Sequence, residues 1–377
     1  MDLNEIRGQI DNIDAQLLKL FLDRMELSKG VAAYKKENNM PIFQGDREKQ
    51  VLDRISSLSP EEHRSGARLL FTNIMDIGKS LQANQLHDSS LPQFPIAGDD
   101  TITGIKVACQ GVSGANSEAA CVRMFSEPSI SFYESFEDVF KAVQREEVEY
   151  GLLPIQNSTA GSVMQTFDLM RRYSFYIHRT ISIKIDYCLA VKKGTKFEDI
   201  VSVYSHEQAL KQCSSFLNKN DGMMAIPYSN TAAAAKLVSE SGIGNAALCS
   251  EECANIYGLD ILKTNLQNSD DNYTRFICIK KNLSIVEDAD IISVSLSIPN
   301  TPAALYRLLT KFAVGGLNLL RIESKPIASR NFDVIFYLDF AGSVKDESVA
   351  KLLVELEDDL SFFKFLGNYN EIQDGSL

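Results

Sequence analysis

The residues of this 377-residue chain whose types and spacing could do chemistry form two sets of opposite character. One is charged and widely spaced: Arg7, Arg24, Lys35, Arg47 with Glu48, and then Gln82. The other is neutral and clustered: Gln156, Asn157 and Ser158 within Leu153 to Val163, then Tyr204-Ser-His-Glu-Gln208, then Asn272-Tyr-Thr-Arg-Phe276. Spaced cations suit a polyanionic ligand, which guanidinium and ammonium groups clamp by charge-assisted hydrogen bonds. Amides and hydroxyls between a strand and a helix suit hydrogen bonding to a small anion, because helix N-termini present unsatisfied N–H groups there. A well-capped turn without a ligand is the alternative for any one neutral run. Three of them at strand ends favour a site.

The charged set sits on helical periodicity. Leu3, Ile6, Ile10, Ile13, Leu17, Leu20, Leu27, Val31 and Tyr34 alternate by three and four, which predicts one helix over residues 2–38. At 1.5 Å per residue it is about 57 Å long, too long to bury its stripe within its own segment, so a partner helix from another chain is expected. Arg24 occupies a position where the stripe calls for an apolar residue, a costly placement unless an anion pairs with it. A snorkelling arginine is the alternative. Arg7 lies about 26 Å from Arg24 along the axis, so no small ligand touches both on one helix. An antiparallel partner could bring its own Arg7 to the Arg24 site. Asp46 starts a short helix carrying Arg47 and Glu48, and Ser59-Pro-Glu-Glu62 has the capping-box form that starts a third. That helix presents Ala67, Leu70, Phe71, Ile74, Ile77 and Leu81, with Gln82 near its end.

The neutral set sits on alternating strands and helices. Residues 84–103 read as a linker, followed by strands near 105–109, 130–133, 149–153, 201–204, 223–226, 246–249 and 274–280. Helices are expected near 115–125, 136–145, 162–171, 207–217, 230–240 and 250–256, and the extended stretch 175–191 joins two lobes. Gly111-Val-Ser-Gly-Ala-Asn-Ser117 follows the first strand without the G-x-G-x-x-G spacing of a dinucleotide site. After a short linker at 282–290 come a strand at 291–298, a helix begun by Pro302, strands at 317–325 and 332–340, a helix around 345–358 and a strand at 362–369. This β-α-β-β-α-β order is the ferredoxin-like plan. The expected domains are 1–88, all-helical; 104–281, a two-lobed α/β domain; and 290–372, an α+β domain.

Composition narrows the functional classes. With 45% hydrophobic and 23% charged residues the chain reads as an ordinary globular protein. A net charge of −12 argues against general affinity for nucleic acid or membrane surfaces, so any anion site must be local. No signal-like start and no apolar run of 18 residues occur, so a cytoplasmic location is expected. Seven cysteines without a C-x-x-C pair and only four histidines predict reduced thiols, no metal site and no cofactor.

Residues 1 to about 85 resemble the all-helical chorismate mutase family, whose pattern of Arg7, Arg24, Lys35, Arg47-Glu48 and Gln82 appears here in order. The resemblance implies a homodimer, or a higher homo-oligomer, of interlocked helices and a substrate, chorismate, that rearranges to prephenate. It implies that Arg7 and Arg24 clamp carboxylates, Lys35 and Gln82 donate to the ether oxygen, and Glu48 holds the ring hydroxyl, with Arg47 and Gln44 also at the substrate. Gln44 is a departure, since several relatives carry an acid there; an amide can still bond the hydroxyl.

Gly111 to Ala120, Pro154 to Val163, Tyr204 to Cys213, Ser229 to Ala233 and Asn272 to Phe276 together resemble prephenate dehydratase along its catalytic region. The resemblance implies two periplasmic-binding-protein-like lobes with prephenate in the cleft, losing hydroxide and carbon dioxide to give phenylpyruvate. Thr274 is then the donor to the leaving hydroxyl, with Gln156, Asn157, Ser158 and Gln208 fixing the substrate and Arg275 near a carboxylate. A structural ion pair is the alternative for Arg275, and a structural histidine for His206. Gln156 stands where the family usually has glutamate and cannot transfer a proton.

Asn318 to Pro326 and Phe336 to Phe340 resemble the ACT regulatory domain, which implies phenylalanine as an allosteric inhibitor. The ligand-binding stretches would be Ala303-Ala304-Leu305, with Ala303 in the family's glycine position, and Asn318-Leu319 through Glu323-Ser324, where Lys325 replaces the motif's arginine. The whole reading is a bifunctional chorismate mutase and prephenate dehydratase. A catalytically dead regulator on receptor-like lobes is the rival from another class, and intact Thr274, Arg24 and Lys35 count against it.

Overall fold

The computed structural model describes residues 2–38, 45–86, 92–96, 104–326 and 334–372. It divides into two compact units: Met1–Phe94 with Ile292–Phe365, and Pro95–Ile291 with Leu366–Leu377.

The first unit opens with α1 (Leu3–Glu37), α2 (Gly45–Leu58) and α3 (Arg64–Leu86), the last preceded by a 3-10 turn at Glu61–His63. Asp2 caps α1, its Oδ1 accepting from Asn4 N at 2.7 Å and Glu5 N at 2.9 Å, which satisfies two of the orphan donors of the first turn. The apolar stripe of α1 faces away from α3. Leu3, Ile6, Ile10, Ile13, Leu17, Leu20, Leu27, Val31 and Tyr34 are all exposed, between 41% and 74%, whereas Met25 and Ala32 are buried. One chain therefore leaves uncovered the apolar face that the periodicity identifies.

The second unit holds two lobes. The chain enters the first through β1 (Lys106–Gln110), α4 (Asn116–Met124), β2 (Ser129–Tyr133), α5 (Phe136–Gln144), β3 (Tyr150–Asn157), β4 (Gly161–Ser162), α6 (Met164–Arg172) and β5 (Tyr176–Lys184). The second lobe follows as β6 (Cys188–Val191), β7 (Ser202–His206), α7 (Glu207–Gln212), α8 (Ser214–Asn218), β8 (Met224–Tyr228), α9 (Thr231–Glu240), β9 (Asn245–Cys249), α10 (Glu251–Ile256) and β10 (Asp260–Lys263). The chain then returns to the first lobe through β11 (Tyr273–Lys280). The single helix expected over 207–217 is divided at Cys213, where φ is −106° and ψ 16°. Residues 282–290 are no loose linker: Ile285, Val286 and Ala289 are buried, and Ile285 pairs with Ile96. The glycine run after β1 also finds its reason in packing. Gly114 has φ +84°, and a Cβ there would meet Cys253 Sγ at 2.9 Å, so only glycine fits.

The remaining segment is β12 (Ile291–Ser297), α11 (Ala304–Val314), β13 (Leu319–Pro326), β14 (Val334–Ala341), α12 (Glu347–Asp359) and β15 (Phe362–Tyr369), with strand order β13-β14-β12-β15. Its core includes an edge-to-face contact of Phe312 and Phe340 at 5.1 Å. After β15 a two-residue strand, β16 (Glu371–Ile372), joins the first-lobe sheet beside β5, giving the order β16-β5-β11-β3-β1-β2. The second-lobe order is β10-β6-β9-β7-β8.

Candidate active sites

On the helical segment, α1, α2 and α3 bring four of the expected residues to one groove. Arg24 donates from Nη1 to the Ile74 carbonyl at 3.1 Å, and Lys35 Nζ approaches Gln82 Oε1 at 3.5 Å, with both Lys35 and Gln82 buried. Glu48, one turn into α2, meets Lys79 of α3, Oε1 to Nζ 3.0 Å, and the same ammonium reaches Asp76 Oδ1 at 2.7 Å. Burial lowers the pKa of Arg24 and is also the main cause lowering that of Lys35; Glu48 opposes the second shift and Lys79 adds to it. Arg7 and Arg47 lie exposed, outside this groove, and Gln44 falls outside the described residues. Lys79 carried no signal in the sequence, because a lone lysine between Gly78 and Ser80 on an amphipathic helix reads as solvated surface.

Between the lobes lies a cavity of about 580 Å³ lined by Asn157, Thr274, Gln208 and Gln212, among others. Its geometry starts from a bulge. β11 and β3 pair antiparallel with Thr274 opposite Asn157, Arg275 opposite Gln156 and Phe276 opposite Pro154, the register shifting between Arg275 and Phe276. The extra residue on β3 lets Pro154 and Asn157, three apart, face the side that Thr274 and Phe276 face, two apart. Asn157 Nδ2 donates to Thr274 Oγ1 at 2.9 Å, while its Oδ1 accepts from Thr159 N at 3.1 Å and Ala160 N at 2.8 Å. With a lone pair of its oxygen engaged by that donor, Thr274 lines the cavity with its own O–H still to donate.

Three of the expected substrate contacts lie elsewhere than on this cavity's wall. Gln156, Ser158 and Arg275 are not among the residues lining the cavity. Strand alternation gives the reason for Arg275, whose neighbours Thr274 and Phe276 take the cleft face. Its Nε and Nη2 instead bond Glu371 of β16 at 3.1 and 2.9 Å. Gln156 shares its register position. Ser158 joins two segments, donating to the Asp271 carbonyl at 2.6 Å and accepting from Tyr273 N at 2.9 Å.

The sequence reading also passed over Gln212, whose Nε2 approaches Asn157 Oδ1 at 3.3 Å and Asn272 Oδ1 at 3.2 Å while its Oε1 accepts from Tyr187 O–H at 3.1 Å. Only its place in the block Tyr204 to Cys213 could have flagged it. Cys213 beside it is no nucleophile, since burial pushes its thiol up to about 12. None of the described lining residues is Lys or Arg. Helix starts line it instead: Ser117 of α4, Phe136 of α5, Thr231 of α9 and Val163, the N-cap of α6, and helix N-termini favour anions. His206 lines it too, its Nδ1 accepting from Gln208 N at 3.2 Å as the cap of α7.

In the β12–β15 segment Ala303 has φ +63°, a left-handed conformation, and α11 starts after it at Ala304 rather than at Pro302. Leu305 is partly exposed at 36%. The Asn318 carbonyl accepts from Ala341 N at 2.9 Å, Leu319 opens β13, and Glu323 and Ser324 pair with Tyr337 and Phe336. β13 ends the sheet and exposes Leu320 and Ile322.

Among the described residues no helix is long and apolar enough to cross a membrane, and no group of three or more His, Cys, Asp or Glu is placed to hold a metal ion. Comparison with known proteins identifies both catalytic regions. The family model for prephenate dehydratase matches residues 107–284 and that for chorismate mutase type II matches 6–83. A bifunctional chorismate mutase/prephenate dehydratase of Aquifex aeolicus is 30% identical over 375 residues, 98% of each protein. Among solved structures, a prephenate dehydratase of Arthrobacter aurescens in complex with L-Phe is 28% identical at TM-score 0.66, covering 71% of this chain and 90% of its own. GqqA, described as a novel type of quorum-quenching acylase, is 25% identical at TM-score 0.65, covering 71% of this chain and 98% of its own. An enzyme with a chorismate mutase domain and a prephenate dehydratase domain, this chain belongs to the bifunctional chorismate mutase/prephenate dehydratase family.

Proposed function

We propose that the chain carries out two consecutive steps toward phenylalanine and is restrained by phenylalanine. In the first, chorismate breaks its ether C–O bond as a new C–C bond forms, giving prephenate without nucleophile or cofactor. The enzyme's part is to hold the folded conformer and to stabilise the ether oxygen as charge develops on it. Arg24 holds a carboxylate, Lys35 and Gln82 donate to the ether oxygen, and Glu48 accepts from the ring hydroxyl. Arg7 enters from a second chain: nine exposed apolar side chains along α1 support a partner helix, and the exposed Arg7 lies on that helix. Mixing Arg7→Ala with Lys35→Ala chains should restore part of the mutase activity in mixed dimers. No recovery despite demonstrated chain exchange would sink the shared site.

In the second step prephenate takes up a proton and loses water and carbon dioxide, the electrons of the breaking C–C bond completing the aromatic ring of phenylpyruvate. The observation that carries this reading is the bond from Asn157 to Thr274, which occupies a lone pair of the threonine oxygen and leaves its O–H to donate to the leaving hydroxyl. It also favours a lyase over an acylase, because the threonine oxygen is held by an amide rather than by a base able to make it a nucleophile. The substrate carboxylates rest at the converging helix starts. Supplying chorismate alone and following phenylpyruvate tests both steps; accumulation of prephenate would show that the second is lost.

Phenylalanine would bind across paired β12–β15 units, where Leu320 and Ile322 on the edge strand offer an apolar surface. The L-Phe complex of the Arthrobacter aurescens enzyme supports that ligand class. Calorimetry with phenylalanine on the whole chain, beside dehydratase assays, checks the assignment, and absent binding refutes it.

A further inference from the structure

The structure points to an additional residue in the mutase site. We propose that Lys79 is a positioning residue that holds the Glu48 carboxylate on the α2–α3 side of the groove, away from the Lys35 ammonium. Glu48 then keeps an oxygen for the ring hydroxyl, and Lys35 keeps its donors for the breaking ether. The inference rests on the roles given to Glu48 and Lys35 above.

The geometry is specific. Lys79 lies three residues before Gln82, so α3 sends both toward the groove, one against Glu48 and one against Lys35. Its ammonium is held between Asp76, one turn back on its own helix, and Glu48 on α2. Asp76 alone already supplies a local partner; the reach to α2 is what ties the Glu48 side chain to α3. Side-chain exposures are 23% for Lys79, 22% for Glu48 and 11% for Asp76, so the triad is mostly out of water and couples more strongly than a surface pair.

Glu48 and Lys35 attract each other, and Lys79 and Lys35 repel. Without Lys79, Lys35 is a groove cation that already attracts Glu48. Collapse onto it would occupy two groups that the rearrangement needs apart, one as acceptor at the hydroxyl and one as donor at the ether.

The charged groups facing Lys79 come from five helices. Among the described residues they include Lys35 on α1, Glu48 on α2, Asp76 on α3 and, across a cavity of about 490 Å³ that Lys79 also lines, Arg307 and Lys311 on α11 with Glu355, Asp358 and Asp359 on α12. In that cluster Lys311 is engaged by Glu355 and Asp359, while Lys79 pairs with Asp76 and Glu48. Lys35 works as a cation, and in kcat/KM its loss of a proton forms the alkaline limb of the free enzyme. Burial and Lys79 set that limb below the position of an ordinary lysine. Removing Lys79 removes a repelling cation and frees an attracting carboxylate, and both changes move the limb to higher pH.

The test compares the full-length wild type with Lys79→Gln and Lys79→Arg, with dehydratase activity on prephenate and near-ultraviolet circular dichroism as controls for folding. Lys79→Gln should lower mutase kcat about tenfold with KM changed by less than about threefold, and should shift the alkaline limb upward. Lys79→Arg, which keeps the charge, should stay within about threefold of wild type. A lysine that only braces the helices would alter unfolding without moving the limb. An unchanged limb and kcat in Lys79→Gln, or a loss in Lys79→Arg as large as in Lys79→Gln, overturns the inference. Titration of Lys35 by NMR of ε-labelled lysines reads the same coupling without turnover. A wild type devoid of mutase activity would therefore defeat the functional reading while the Lys79 coupling was still judged, by whether the Lys35 titration moves.

Discussion

Two candidate sites on one chain are of opposite character. The mutase groove uses long cationic side chains, Arg24 and Lys35, projecting from a helix whose apolar face remains uncovered. The dehydratase cleft has no Lys or Arg among its described lining residues and presents helix starts, amides and one hydroxyl set by a strand bulge. Side chains on helix faces can be recruited across chains, but each charge must be desolvated and balanced by another, as Glu48, Lys79 and Asp76 illustrate. Backbone donors at helix starts need no such partner, and they are already ordered when the substrate arrives. The contrast also follows the chemistry. A rearrangement needs charge placed against an ether oxygen, whereas a dehydration driven by aromatisation needs a hydrogen bond at the departing hydroxyl.

The sharpest way to separate the sites is Thr274→Val. It removes the directed O–H while keeping the shape, and phenylpyruvate formation should fall at least about a thousandfold with prephenate production near normal. Loss of both activities would mean the sites are not independent. Next in size, Arg24→Ala should cost the mutase about 3 kcal/mol in kcat/KM, because it strips a half-buried cation from an anion, and should leave dehydration of supplied prephenate unchanged.

Arg275→Met puts the neutral character of the cleft at risk. If helix starts hold the carboxylates, the prephenate KM should change by less than about tenfold, since the guanidinium is committed to Glu371. An effect as large as that of Arg24→Ala would restore Arg275 as a clamp. The smallest effect concerns the third region, whose position 303 the chemistry does not use. Ala303 is held at φ +63°, so Ala303→Gly should stabilise the protein by about 1 kcal/mol in denaturant melts and tighten phenylalanine binding. Binding unmoved by the change would mean that the Ala303 methyl does not weaken it.

Local patterns carried much of the fold. The three-four alternation of α1, the strand and helix alternation of the lobes and the β-α-β-β-α-β order were all legible, since each depends on periodicities of two or 3.6 residues within one segment. The charged groove was legible because Arg24 interrupts an apolar stripe, and the neutral site because its polar runs fall where strands end. What the sequence left undecided depended on register between distant segments. Whether Arg275 faces substrate is set by the pairing of β11 with β3, more than a hundred residues earlier, and by a bulge with no signature of its own. Its true partner, Glu371, comes from a two-residue strand too short to predict. Lys79 became part of the mutase groove only through the packing of α2 against α3. Chain order fixes which side chains a helix or strand offers, but the direction in which each points, and the charge it then meets, is settled by contacts between segments remote in sequence.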